Sequence, residues 1–186
     1  MDTTLALAVE AFDDDPFYRW LLPRRRRARL EAVMRLALRR SVVRAEPGGL
    51  IAWHAPDARR VGPSLLDLGP ALRLLVALGA WRRLVIGARL MRALARARPS
   101  GPHVHLELFA VARAERGRGL GKRLLGDLLA HADARGWPVA LDTTNPDNLP
   151  LYRRFGFEVT REVRVADAPP AWVMLRPAPT TRGAPT

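Results

Sequence analysis

The sequence lacks cysteine, has a single lysine and contains no uninterrupted apolar run long enough to cross a membrane. Without cysteine there is no disulfide framework, no thiolate nucleophile and no thiolate metal site. The longest apolar region, residues 72–94, is interrupted by arginines, so placing it across a bilayer would have a high free-energy cost. Residues Met1–Thr4 are not basic, and the apolar run after them is too short for a signal core. We therefore expect a cytoplasmic protein with no membrane partner.

The formal net charge of +13 does not by itself indicate a nucleic-acid-binding protein. Nearly all of the basic residues are arginine, which accompanies heavy use of Ala, Leu, Gly and Pro, as in proteins from GC-rich genomes. No reader helix, aromatic interleaving or zinc pattern accompanies the charge. The four histidines show no H-x-x-x-H spacing, so we expect no metal and no nucleic-acid partner.

The order of helical and strand patterns predicts one α/β domain with a mixed, mostly antiparallel central sheet flanked by helices. Helical periodicity covers residues 4–12, 24–40, 71–98 and 120–134, and strand patterns cover 41–45, 50–53, 103–111, 139–141, 157–165 and 172–175. We assign the domain to residues 1–178, with a helical insertion at about 64–98, and expect a disordered tail over 179–186. An apolar content of 48% is sufficient for a core.

A glycine-rich loop, Arg116–Gly121, separates a strand from a helix and predicts an anion site. The first amides of a helix have no partner within it, and the helix dipole favours negative charge there. Glycine lets the backbone approach a ligand closely. The loop fails the Walker pattern because Arg123 follows Lys122, and it lacks the third glycine of the dinucleotide pattern. It fits R-x-x-G-x-G, which is similar to the acetyl-CoA pyrophosphate loop of GNAT N-acetyltransferases.

A second segment, Asn145–Phe157, strengthens this resemblance. It is similar to the N-x-x-x-x-Y-x-x-x-G-F segment of the GNAT family, and it lies at the family's spacing from Gly121. Features near Phe12, Trp53 and the Trp172–Arg176 ending resemble the puromycin N-acetyltransferase-like branch, although the middle of the chain matches loosely. That branch usually carries glutamate where this chain has Asp142.

The resemblance implies transfer of acetyl from acetyl-CoA to a primary amine of a small molecule, by direct attack in a ternary complex. The implied acceptor class is an aminonucleoside-like or other antibiotic amine, and we expect a monomer or homodimer. The implied cofactor-binding residues are Phe109, Ala110, Val111, Arg116, Gly117, Arg118, Gly119, Leu120, Gly121, Lys122 and Asn148. Asn148 alternatively caps the helix that follows it.

The reaction requires an acid for the leaving thiolate and a base for the ammonium. Tyr152 is the candidate acid, since a phenol has a pKa of about 10, comparable to that of the thiol; its alternative role is packing. His103, His105 and Glu107 alternate along one strand, and His105, Glu107 and Asp142 are the candidate bases. His54 and His131 have no partner pattern, and we expect them at the surface.

The sequence leaves two questions open: whether certain aromatic residues line the acceptor pocket, and whether the protein is an enzyme. Five aromatic residues either line the pocket or belong to the core: Phe17, Tyr18, Trp20, Trp53 and Trp81. A non-catalytic acyl-CoA-binding regulatory module is the alternative to an enzyme.

The N-terminus departs from the family, which has a strand before its first helix. Helical spacing from Thr4 to Phe12 leaves few residues for that strand. We therefore expect a sheet one strand shorter at this edge, beginning near Ser41 and guarded by Arg44 and Glu46.

Overall fold

The computed structural model describes residues 3–23, 26–56 and 81–179. The elements before the gap in this description are helices α1 (Thr3–Phe12), α2 (Pro16–Leu21) and α3 (Arg26–Arg40) and strands β1 (Val42–Glu46) and β2 (Gly49–His54). Those after it are α4 (Trp81–Ala97), β3 (Val104–Val111), α5 (Leu120–Asp133), β4 (Val139–Thr143), α6 (Leu149–Arg154), β5 (Glu158–Val163) and β6 (Ala171–Arg176). Short 3₁₀ turns at Arg113–Glu115 and Pro146–Asn148 precede α5 and α6.

The described strands form one sheet in the order β1-β2-β3-β4-β6-β5. Each neighbouring pair is antiparallel except β3 and β4, which are parallel. The predicted fold class, a mixed and mostly antiparallel sheet flanked by helices, is confirmed. Of the predicted helical insertion, the structure describes a helix over residues 81–97; residues 64–80 and 180–186 lie outside the described part of the chain.

Helices cover both faces of the sheet. On one face, α5 and α6 pack against β2, β3, β4 and β6, with Leu124, Leu125 and Phe157 among the buried side chains. On the other face, α1 and α3 cover the β2–β3 half, while α2 and α4 cover the β5–β6 half. The apolar spacing along α5 explains its position, because its buried leucines recur at intervals of three and four residues.

The parallel pairing of β3 with β4 is short. It covers Val104–Leu106 of β3 and Val139–Leu141 of β4, although β3 continues to Val111. Beyond Leu106, the edge of β3 that faces β4 is therefore left without a strand partner. An unpaired strand edge presents backbone N–H and C=O groups, and here it forms one wall of a cleft.

A β-bulge at Glu107 interrupts the regular alternation of β3. Trp53 of β2 lies opposite Leu106 and Ala52 lies opposite Leu108, so Glu107 has no opposite residue. As a result, Leu106 packs beneath α5, whereas Leu108 packs beneath α1 and α3. The bulge adds one residue after Leu106 and so changes the phase of β3 beyond the predicted alternation of His103, His105 and Glu107. His105 and Glu107 nevertheless remain neighbours, with His105 Nε2 3.5 Å from Glu107 Oε2.

The N-terminal edge follows the prediction as far as the structure describes it. Residues 3–12 are helical, and β1 is the outer strand of the described sheet; Met1 and Asp2 lie outside the described residues. Arg44 forms ion pairs with Glu46 at 3.3 Å and with Asp127 at 2.9 Å. These charges flank the exposed apolar side chains of β1 and guard the edge against pairing with another chain.

Candidate active site

A cleft of about 860 Å³ begins where the pairing of β3 with β4 ends. One end is lined by the glycine-rich loop and the start of α5, and the other by residues of α1, α2 and α4. Its walls carry the C-terminal half of β3 and the segment from β4 into α6. The Asn145–Phe157 segment and the Arg116–Gly121 loop, which the sequence places far apart, thus meet at one cleft.

The loop has the backbone conformation that its glycines permit. Gly117 and Gly119 have φ angles of +78° and +84°, in the left-handed region that side chains with a Cβ rarely adopt. A Cβ built on either residue would meet no protein atom within 4 Å. The loop surface is therefore open to a ligand rather than filled by packing.

The start of α5 supplies hydrogen-bond donors beside this surface. Gly119 is the N-cap residue, and its carbonyl accepts the amide of Arg123 at 3.0 Å. The amides of Leu120, Gly121 and Lys122 have no carbonyl partner within the helix, as at any helix start. Arg116 and Lys122 line the cleft and add positive charge. This combination fits a pyrophosphate.

Gly121 has a different role from the two preceding glycines. A Cβ there would lie 3.2 Å from Phe109 Cζ and 3.2 Å from Val111 Cγ2, so its absence lets α5 pack closely on β3. The cleft lining includes most of the residues predicted to bind the cofactor: Phe109, Ala110, Val111, Arg116, Gly117, Gly119, Gly121, Lys122 and Asn148. Arg118 and Leu120 do not belong to this lining; Arg118 pairs with Glu115 at 3.2 Å, and Leu120 is buried in the core.

At the other end of the cleft, histidine and carboxylate side chains converge. His105 Nε2 lies 3.5 Å from Glu107 Oε2 and 3.9 Å from Asp142 Oδ2. His54 Nε2 lies 3.7 Å from the same Glu107 oxygen, and the two imidazole rings stack in parallel with centroids 6.4 Å apart. The three predicted bases, His105, Glu107 and Asp142, are therefore neighbours.

Asp142 is held by a positive partner that the sequence analysis did not identify. Arg98, just after α4, donates from Nε to Asp142 Oδ2 at 2.9 Å and from Nη2 to the same oxygen. Both side chains are largely buried, and Asp142 Oδ1 is buried without a hydrogen-bond partner. Most of the charge of Asp142 is therefore compensated by Arg98, whereas Glu107 has two imidazole nitrogens within 4 Å.

The segment after β4 positions Tyr152 and Asn148. Tyr152 is buried, lines the cleft and packs edge-to-face on Phe157 with ring centroids 5.8 Å apart. Asn148 donates from Nδ2 to Thr143 Oγ1 at 3.4 Å and forms no side-chain cap bond to α6. Asn148 is the N-cap residue of α6 by position, as its alternative role predicted, but its side chain makes no capping bond. Asn145 caps the preceding 3₁₀ turn by accepting the amide of Asp147.

The local environment shifts several pKa values. Burial raises the pKa of Tyr152 above its ordinary value, so its hydroxyl stays protonated. Burial alone would raise the pKa of Glu107, but the neighbouring imidazoles of His105 and His54 outweigh it and lower that pKa. Burial and the nearby carboxylates of Glu107 and Asp15 raise the pKa of Tyr18. The site thus holds a protonated phenol and an ionised carboxylate.

The loop between α1 and α2 contacts both sides of the cleft opening. Asp14 accepts from Arg113 Nη2 at 3.3 Å, on the side of the glycine-rich loop. Asp15 accepts from Thr144 Oγ1 at 3.2 Å, just after β4, and it also accepts the amides of Phe17 and Tyr18 at the start of α2. These contacts place the aromatic side chains of α2 over the cleft.

The remaining predicted residues divide between the cleft and the core. Phe17 and Tyr18 line the cleft, Trp20 packs beside Phe17, Trp53 packs against the opposite face, and Trp81 is 62% exposed. His103 is buried with its Nδ1 2.8 Å from the carbonyl oxygen of Gly101. His131 is exposed as expected. His54 is partly exposed, but the expectation that it has no partner is wrong, because it stacks on His105.

In the part of the chain that the structure describes, no three histidine or carboxylate side chains are arranged to hold a metal ion. None of the helices within residues 3–23, 26–56 and 81–179 has the length and apolarity needed to cross a bilayer.

Comparison with known proteins adds to this geometry. Residues 85–157 match the sequence model described as the acetyltransferase (GNAT) family. A solved structure of histone acetyltransferase HPA2 and related acetyltransferase from Corynebacterium glutamicum aligns with a TM-score of 0.66 at 26% identity, over 96% of this chain and 92% of that chain. The fold is therefore that of the GNAT acetyltransferases.

Two further solved structures align with shorter parts of this chain. The ribosomal-protein-S18-alanine N-acetyltransferase from Escherichia coli aligns at 24% identity and a TM-score of 0.38, over 45% of this chain and 60% of that chain. Naa50 from Arabidopsis thaliana, solved in complex with the bisubstrate analogue CoA-Ac-MVNAL, aligns at 23% identity and a TM-score of 0.36, over 40% of this chain and 54% of that chain.

Proposed function

We propose that this chain, which has the GNAT acetyltransferase fold, is an N-acetyltransferase that transfers acetyl from acetyl-CoA to a primary amine of a small molecule. The observation that carries the proposal is the single cleft that joins an anion-binding helix start to a base-and-acid pair. A pyrophosphate fits the first end, and the transfer of an acyl group to an amine requires the second.

The residues of the loop fit the cofactor. The absence of protein atoms around the missing Cβ of Gly117 and Gly119 leaves room for a phosphate close to the backbone. The free amides at the start of α5, with Arg116 and Lys122, would hold the two phosphates. The unpaired edge of β3 offers backbone groups to an extended amide-containing arm. Acetyl-CoA, when bound, supplies the acetyl thioester.

The base is best assigned to Glu107 among the three candidates. Arg98 already compensates Asp142, and both contacts of the largely buried His105 are made by its Nε2, toward the carboxylates. Glu107 lines the cleft, and its lowered pKa keeps it ionised, so it can attract an ammonium group. The lowered pKa also makes it a weaker base than a free carboxylate, so it would accept the proton directly or through water as the N–C bond forms and the amine nitrogen becomes acidic.

The acid is Tyr152. Its hydroxyl remains protonated because burial raises its pKa, and it lines the same cleft as Glu107. It would donate its proton to the departing thiolate while the amine loses a proton to Glu107. The proton balance of the reaction is then completed by these two side chains and solvent.

The acceptor is proposed to be a small amine with an apolar or aromatic body, as in the puromycin N-acetyltransferase-like branch. Phe17 and Tyr18 cover this end of the cleft, and Glu107 lies beside them. An aromatic cover over a carboxylate suits an amine carried on a flat, apolar group.

The decisive experiment is release of free thiol from acetyl-CoA with a panel of amines. The panel contains an aminonucleoside, a polyamine, an aminoglycoside and a lysine-containing peptide, with an amine-free control for hydrolysis. The peptide is included because the Corynebacterium glutamicum structure is described as a histone acetyltransferase and related acetyltransferase. We expect amine-dependent release with at least one non-peptide amine and a large loss in Glu107→Gln.

Three outcomes would contradict the proposal in different ways. Binding of acetyl-CoA without amine-dependent thiol release from the whole panel would favour a non-catalytic acyl-CoA-binding regulatory module. Release with the peptide alone would retain the acetyltransferase and reject the small-molecule acceptor. Absence of acetyl-CoA binding, measured by thermal shift, would reject both.

A further inference from the structure

The two imidazoles at the bulge converge on one oxygen of one carboxylate. His54 Nε2 and His105 Nε2 lie 3.7 Å and 3.5 Å from Glu107 Oε2, and their rings are within 7° of parallel. In both pairs the oxygen nearest to Nε2 is Oε2. Two imidazole nitrogens thus lie close to the same oxygen of Glu107, and a carboxylate has a second oxygen that can accept from another partner.

This convergence depends on the register of two strands. His54 and His105 lie directly opposite each other in the antiparallel pairing of β2 with β3. The bulge at Glu107 lies two residues beyond this pair, and the Glu107 carboxylate is next to both rings. His54 is not part of the cleft lining, and its side chain is 31% exposed. Any effect of His54 on a bound amine therefore acts through Glu107 or through His105, on which it stacks.

We propose that His54 and His105 are positioning residues that hold the Glu107 carboxylate ionised and fixed by Oε2, with Oε1 left to receive the acceptor ammonium. This inference rests on the proposed function for its consequence in catalysis, but the charge state of Glu107 can be measured without it. His54 is the informative member of the pair, because it does not touch the cleft.

The other charges around Glu107 are compatible with this role. On β4, Asp142 lies near His105 but is compensated by Arg98, which follows α4. On α2, Tyr18 faces Glu107 as a neutral phenol, since burial and the neighbouring carboxylates raise its pKa. Asp15 also acts on Tyr18, and its own pKa is raised by burial. The two imidazoles are the groups that lower the pKa of Glu107, in opposition to its burial.

The test replaces His54 in two ways and follows the Glu107 carboxyl carbon by ¹³C NMR during a pH titration of the full chain. The Glu107 signal is identified by its loss in Glu107→Gln. His54→Phe keeps a flat ring against His105 but removes both nitrogens, and we expect it to raise the titration midpoint of Glu107 by about one pH unit or more. His54→Gln keeps a neutral donor near the position of Nε2, so we expect a smaller rise.

The matched control is His131→Phe, which removes an exposed imidazole of α5 whose contacts are Arg135 and Trp137. We expect no change in the Glu107 midpoint. The same variants are then assayed for kcat/KM against pH with an amine that the panel identifies. His54→Phe should move the acidic limb of the kcat/KM profile to higher pH. His54→Gln should move it by a smaller amount.

The outcomes separate positioning from packing. An unchanged Glu107 midpoint in His54→Phe would overturn the proposal. A wild-type dependence of kcat/KM on pH in His54→Phe, together with a lowered kcat/KM in His54→Gln, would overturn it as well. If His54→Phe does not fold, the midpoint in His54→Gln decides, and no rise there counts against the proposal. A raised midpoint in a protein that acetylates no amine would support the positioning role and reject the proposed function.

Discussion

Gly119→Val tests whether the shape of the glycine-rich loop, rather than its charge, determines cofactor binding. Gly119 has φ of +84°, and a side chain there would meet no protein atom within 4 Å. The substitution therefore strains the backbone without a clash in the folded protein; we expect a loss of about 1–2 kcal/mol in the free energy of unfolding. Relief of that strain would rotate the N-cap and turn the first amides of α5 away.

The effect on binding follows from those amides. A hydrogen bond to a charged group is worth about 1.5–3 kcal/mol, so loss of one such bond to a phosphate reduces affinity by about 10- to 150-fold. A side chain projecting into the open space beside the loop would add to this by blocking the phosphate. We therefore expect the Kd for acetyl-CoA, measured by isothermal titration calorimetry, to rise by at least ~10-fold.

Gly126→Val is the matched control, because it makes the same substitution in the same helix. A side chain at Gly126 also meets no protein atom within 4 Å, but this residue lies within α5, away from its start and without positive φ. We expect wild-type affinity in this variant. Equal affinities in Gly119→Val and Gly126→Val would refute the reasoning and place the phosphates elsewhere.

Three other perturbations follow from the contacts described. Tyr152→Phe should lower kcat by about 10² without changing the Kd for acetyl-CoA; an unchanged kcat would return Tyr152 to a packing role. Arg98→Met leaves Asp142 without its partner and should lower the free energy of unfolding in urea by about 3 kcal/mol, whereas the double variant Arg98→Met/Asp142→Leu should lose less. Equal losses in the two variants would show that the unpaired charge of Asp142 does not cause the destabilisation. Burial raises the pKa of Asp15, so its ionised form costs stability above that pKa and the cost is relieved as pH falls toward its ordinary range. Asp15→Asn keeps an N-cap residue and should be at least as stable as wild type at about pH 7, with an advantage that disappears near about pH 3; an advantage that grows at low pH would contradict this.

The parts of the site that the sequence predicted are those encoded by local patterns. The Arg116–Gly121 loop is a continuous segment whose glycines and following helix can be identified from residue type and spacing. Tyr152 and Asn148 occur in a second continuous segment. Asp142 was identified because it lies on the neighbouring strand, at the position where the resembled branch usually carries glutamate. For these residues, local conformation is sufficient to specify the position.

The parts that the sequence did not predict depend on contacts between distant segments. His54 reaches Glu107 because β2 pairs with β3, across residues that the structure does not describe. Arg98 is 44 residues from Asp142, and their pairing requires α4 to pack near β4. The bulge at Glu107 is a mismatch between two strands, so no single strand pattern can reveal it.

The short parallel pairing of β3 with β4 has a consequence for hydrogen exchange. Within the sheet, the β1-β2-β3 half and the β4-β6-β5 half are joined over only Val104–Leu106 and Val139–Leu141. A ligand extended along the open edge of β3 would add backbone hydrogen bonds where the strands provide none. We therefore expect β3 amides that point into the gap to exchange faster than those bonded to β2, and to become protected on ligand binding. The ligand would then act as an additional strand that joins the two halves.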